Sequence, residues 1–209
     1  PMSLFHRKNK GGAFSPPAPP VLSLSDVHKV HQTFSAKFNF YQAGYLAKFE
    51  FFKIIKSVFF LIVTALSVIS FVLIYPQIAK MYGTPIHPVT YSVIEAAMMT
   101  FDFFIIILIV FYSGVLVWRE RDARVDELIG ASPVAPYTAL VSKWAALILV
   151  QILFLLILMT AGIFIQLHEG YLKIELSQYI RELFVFKLIS LAITSVMAMT
   201  VQVLVNNKY

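Results

Sequence analysis

The sequence predicts an all-α membrane protein with four transmembrane helices preceded by an amphipathic helix lying in the membrane interface. Three observations carry this. Of 209 residues, 59% are hydrophobic and only 13% charged, against about a quarter charged in soluble domains, and mean hydropathy is +0.78. Four apolar stretches, at about 58–75, 96–118, 144–167 and 183–205, approach or exceed the roughly 20 residues that cross a hydrocarbon core. Lipid supplies no hydrogen-bonding partners, so backbone groups in runs of this kind pair internally and the runs are helical. The charges, finally, are clustered: seven of the 28 charged side chains lie at positions 119–127, between the second and third apolar runs.

Charge also predicts orientation. Thirteen of the 17 Lys and Arg fall in segments that alternation of four spans places on one side: the N-terminal region, the middle loop and the tail. The other side holds only Lys80, Lys173 and Arg181, and Lys187 falls within a span. Lys and Arg accumulate in cytoplasmic loops, so both ends of the chain and the 119–130 loop are expected in the cytoplasm, in a multi-pass arrangement in the cell (inner) membrane. The net charge of +6 is explained by this topology and needs no nucleic acid partner. With no cysteine in the chain, disulfides, thiolate metal sites and cysteine nucleophiles are excluded.

Residues 1–25 read as a flexible basic and proline-rich linker containing Ser15-Pro16-Pro17-Ala18-Pro19-Pro20, with no apolar run of signal-peptide type. Pro1 and the ending at Tyr209, just after a span, read as an excerpt of a longer chain. Residues 26–57 form the interfacial helix. Phe34, Phe38, Tyr41, Tyr45 and Phe49 recur on one helical stripe among Lys37, Lys48, Lys53 and Lys56, the pattern of a helix lying at headgroup level; Asp26 is its expected cap and Gly44 a weak point. Between the first two spans, Tyr82-Gly83-Thr84-Pro85-Ile86-His87-Pro88 predicts a structured turn. The loop at 168–182 is ambiguous between strand and helix.

The segment from Arg119 to Gly130 has helix grammar. Glu120 and Arg124 are spaced to pair along one face. Val125, Leu128 and Ile129 form an apolar ridge on another. Gly130 is placed as a C-cap, and Pro133 and Pro136 prevent continuation. A short amphipathic helix of this kind suits a docking surface for a soluble partner, and equally a solvated loop.

Catalytic motifs are missing. His168-Glu169 lacks the second histidine of H-E-x-x-H, since Leu172 stands there. His28 and His31 have no further ligand nearby in sequence. There is no Gly-x-x-x-x-Gly-Lys-[Ser/Thr] loop, and no motif surrounds any serine. No catalytic, cofactor or metal residue is assigned, and the segment is not expected to be an enzyme. Asp102 and Lys187 are the only charges well inside the spans, placed about 9 Å and 6 Å from the outer ends at 1.5 Å per residue. At those depths each is expected to snorkel to the interface; an ion pair between the second and fourth spans is the alternative.

The run Phe111-Tyr112-Ser113-Gly114-Val115-Leu116-Val117-Trp118-Arg119-Glu120-Arg121, continued by Arg124-Val125-Asp126-Glu127-Leu128-Ile129 and Ala131-Ser132-Pro133-Val134, resembles the type-2 ABC-transporter (ABC-2 exporter) permease family. It looks most like bacterial permeases fused to a C-terminal zinc aminopeptidase-like domain. Tyr82-Gly83-Thr84-Pro85 and the closing 201–209 stretch are similar too, so the likeness covers about 45–209. Val115 departs from it, standing where that branch often has an acidic residue. The resemblance implies an elbow helix and six spans per permease half, of which four are present here. It implies that 119–130 is the coupling helix, seated in a groove of a cytoplasmic ABC ATPase. Arg119, Glu120, Arg121, Arg124, Asp126 and Glu127 would then give charge complementarity, and Val125, Leu128 and Ile129 the buried anchor. ATP would be bound and hydrolysed by that partner, zinc would belong only to a fused domain outside the segment, and a second permease half, in the same chain or a dimer, would complete the transporter. Two other functions stay open: a membrane anchor for a fused peptidase, and a non-transporting scaffold. Substrate is not legible from the few polar residues in the spans.

Overall fold

A computed structural model describes residues 36–78, 80, 81, 84, 85, 87–122 and 136–205. Its elements are α1 (Ala36–Ile55), α2 (Val58–Ile78), a two-residue antiparallel ribbon of β1 (Lys80–Met81) and β2 (Thr84–Pro85), α3 (Thr90–Asp122), α4 (Pro136–His168) and a last helix, α5 (Leu176–Val205). Four of these, α2 to α5, are long and apolar enough to cross a membrane, and the protein is an all-α membrane protein.

The spans run past the predicted bounds. The helix at 58–75 continues through Pro76 to Ile78. That at 96–118 begins at Thr90 and reaches Asp122. That at 144–167 starts at Pro136, and that at 183–205 starts at Leu176. Hydropathy stops at the first charged residue, here Glu95 and Glu182. A helix does not, because interfacial water accepts such side chains while the backbone ladder continues. The extra turns of α5 include a π-helical stretch, Ile180–Lys187, which no sequence pattern announces.

α3 is the central helix and packs against α2, α4 and α5. Phe101 stacks edge-on between Phe71 of α2 and Phe154 of α4, at 5.7 and 5.3 Å between ring centroids. Val93, Ala97, Leu108 and Leu116 of α3 are fully buried. Lipid is as apolar as these side chains, so close van der Waals packing and interhelical hydrogen bonds hold such a bundle together.

The Thr90 end of the bundle is fixed by a buried polar network. The Gln166 amide donates to Pro88 O at 3.0 Å and to Thr90 Oγ1 at 3.2 Å, and the Tyr179 hydroxyl donates to Gln166 Oε1 at 2.9 Å. Three helices are thereby joined where unsatisfied polar groups would be costly. Gly162 makes the arrangement possible, since a Cβ there would sit 2.8 Å from Tyr179 Oη. Gly162→Ala is therefore expected to displace Tyr179, break its bond to Gln166 and cost about 1–3 kcal/mol. A lowered melting temperature of the detergent-solubilised protein is the measurement.

The helix expected over 26–57 is described from Ala36 to Ile55; Asp26, Phe34 and the rest of 26–35 lie outside the described residues, as does the 1–25 linker. α1 is two-faced. Tyr41, Tyr45, Phe49 and Phe52 are exposed, while Ala43, Ala47, Glu50 and Ile54, spaced at four, three and four, are buried and α1 packs along α4. Tyr41, Tyr45 and Phe49, the described part of the predicted aromatic stripe, are thus turned away from the bundle. The small residues that allow a close helix approach form the other face.

Candidate functional site

Arg119 stands at the foot of the 119–130 segment, and the structure gives it a partner that the sequence did not signal. Its guanidinium makes two parallel hydrogen bonds to the Glu50 carboxylate of α1: Nη1 donates to Oε2 at 2.6 Å and Nη2 to Oε1. The Glu50 side chain is 9% exposed and that of Arg119 28%. Fork-to-fork geometry of this kind fixes direction as well as distance. Arg119, which the resemblance implies lends charge complementarity to an ATPase, has a partner within the chain. The available signal was Glu50 itself, a lone carboxylate in an otherwise basic stretch from 27 to 57.

The neighbouring contacts extend the same joint. Ser57 caps α2, its Oγ accepting from Phe60 N at 3.2 Å, and is hydrogen-bonded to the Tyr112 hydroxyl of α3. Asn39 Nδ2 of α1 donates to Tyr137 Oη of α4 at 2.9 Å. Trp118 Nε1 donates to Gln202 Oε1 of α5 at 3.2 Å, and that amide packs over Gly114. The base of the 119–130 segment is therefore tied to α1 and α5 by polar side chains.

The segment does not start a new helix at residue 119, because α3 runs unbroken through Asp122. Glu120 and Arg121 lie on its last turn, and their side chains are outside the described residues. So are Arg124, Val125, Asp126, Glu127, Leu128 and Ile129 altogether. Among the described residues no group of three or more His, Asp or Glu is placed to hold a metal ion.

Asp102 and Lys187 meet. Lys187 Nζ lies 2.6 Å from both Asp102 oxygens, so the expected snorkelling of each to its own interface does not describe them. The reason is depth. Asp102 lies twelve positions beyond Thr90, roughly 18 Å along α3 at 1.5 Å per residue, and Lys187 eleven beyond Leu176, somewhat less far along α5 because Ile180–Lys187 is π-helical. A lysine side chain does not span that distance, and pairing answers the cost of a charge at membrane depth.

Over residues 46–209 the sequence matches the family described as ABC-2 family transporter protein. No curated protein and no solved structure matched it. The match covers most of the chain and all four candidate spans, and agrees with a multi-pass helical bundle: the chain belongs to the ABC-2 family of transporter proteins.

Proposed function

We propose that this chain is the membrane-embedded permease of an ATP-binding cassette exporter, and that residues 119–130 receive the stroke of a separate cytoplasmic ATPase. The chain ends and the 119–130 segment then face the cytoplasm, as the distribution of Lys and Arg favours, and a second permease half completes the transporter. The observation that carries this reading is the Glu50–Arg119 joint. A load on 119–130 enters α3 where that helix is bolted to α1. From there α3, 33 residues and about 50 Å long, bears on α2, α4 and α5. Rigid helices with fixed side-chain joints carry displacement, whereas a solvated loop would absorb it.

In this reading Val125, Leu128 and Ile129 fill the ATPase groove, and the flanking charges, Glu120, Arg121, Arg124, Asp126 and Glu127, set its register. Such apolar anchors dominate interface energetics. Leu128→Asp or Ile129→Asp is expected to abolish permease-stimulated ATP hydrolysis while the permease still purifies as a folded protein. Affinity purification from native membranes is expected to bring the ATPase with the wild-type chain and to lose it with either variant. A wild-type permease that purifies without any ATPase, or variants with undiminished stimulation, would overturn the reading and favour an anchor or scaffold.

A further inference from the structure

We propose that Asp102 and Lys187 face water, and that the seam between α3 and α5 lines a polar passage able to admit charged solutes at mid-membrane. The first observation is position. α3 and α5 each contribute a 30-residue candidate span, about the full 40–45 Å of bilayer with its headgroups, and both charges lie within a few residues of the helix midpoints. The second is exposure. The Asp102 side chain remains 41% exposed and that of Lys187 21%, although the two satisfy each other. An ammonium has three donors and a carboxylate about four lone-pair sites, so contact with both Asp102 oxygens still leaves part of this capacity unspent. Hydrocarbon cannot take it up.

The third observation is what flanks the pair. Glu95, exposed, lies seven positions before Asp102 and so on the same face of α3. Ser190 and Thr194 lie three and seven positions after Lys187; Ser190 is exposed and Thr194 half-buried. Toward the other end of α5, Gln202 meets Trp118 of α3. Polar groups thus recur along one seam through most of the bundle. Lys187 also closes the π-helical stretch that begins just after Tyr179, which the Gln166 network holds. π-helical segments are uncommon and concentrate at functional sites, because the wider turn re-aims the residues that follow. Thr194 and Gln202 have partners within the bundle, Ser190 O and Trp118, but lipid against this seam would leave Glu95 and the unspent capacity of Asp102 and Lys187 unmet. A tightly packed second copy is disfavoured too, because charged residues are depleted from interface cores and a pair already neutralised offers little net charge to complement.

The inference concerns the permease alone and is read without nucleotide or ATPase, so it stands or falls independently of the coupling proposal. The chain has no cysteine, so single cysteines report cleanly. Ser190→Cys leaves the ion pair intact. Ile69→Cys, exposed near the middle of α2, is the lipid-facing control. In membranes, Ser190→Cys is expected to react with a membrane-impermeant, negatively charged methanethiosulfonate at least about tenfold faster than Ile69→Cys, because only a hydrated thiol forms the reactive thiolate. Asp102→Cys and Lys187→Cys are expected to react likewise. A Ser190→Cys rate no greater than that of Ile69→Cys would overturn the proposal. So would oxidative cross-linking of Ser190→Cys between two copies without reagent access, which would assign the seam to an interface of this chain with itself.

Discussion

Glu50→Ala is expected to be among the most damaging single substitutions in the described structure, costing about 3 kcal/mol. Breaking a buried ion pair by removing one partner leaves an uncompensated charge, which is far worse than never having built the pair. Arg119→Ala is the more severe of the two reciprocal changes, since the group it orphans is the nearly buried carboxylate. The double variant Glu50→Leu with Arg119→Met replaces both charges by apolar groups of similar size and is expected to recover most of the loss. Thermal unfolding in detergent of the wild type, Glu50→Leu, Arg119→Met and the double variant completes the cycle; strictly additive losses would show that the two side chains are not coupled. Under the proposed function the double variant carries a second expectation. Its stability returns, but ATPase stimulation does not return in full, because an apolar contact lacks the directional two-point geometry of the fork. Full recovery of both would reduce the joint to a purely structural role.

The second large effect belongs to Asp102 and Lys187. Asp102→Asn and Lys187→Met are each expected to cost about 1–3 kcal/mol, between the value of a solvated surface pair and that of a fully buried one. Exposure sets the lower figure relative to Glu50–Arg119: four-tenths of the Asp102 side chain is uncovered. Combined, the two substitutions are expected to be less harmful than their sum, in folded yield and in transport assayed in vesicles. If the seam carries charged solutes, the neutral double variant also changes which solutes pass even where it folds as well as wild type. Additivity in the stability cycle would remove the pair from any functional account.

Much of the architecture could be read from residue order alone, because the bilayer leaves so few options. A run such as 144–167, with its backbone in hydrocarbon, has only the helix available. The exposed face of α1 was legible too, since Tyr41, Tyr45 and Phe49, at a spacing of four, share one side of a helix and are exposed.

The docking faces were not legible in that way. Ala43 and Ala47 carry no hydropathic signature, and their use is to let α1 come close to α4. Glu50 and Arg119 are 69 positions apart, and nothing local to either predicts the other. Asp102 lies further along its helix than hydropathy suggests, because hydropathy marks where charge begins, whereas α3 keeps its hydrogen-bond ladder through Glu95 back to Thr90.

The sequence by itself therefore determined the class, the number of spans and the family, since solvent chemistry acts on each segment separately. Only the tertiary structure decided which charges find one another, which glycine admits Tyr179, and where α5 widens into a π-helix. These depend on the distance between atoms of different helices, set by packing volume and by the requirement that every polar group in a low-dielectric interior find a partner.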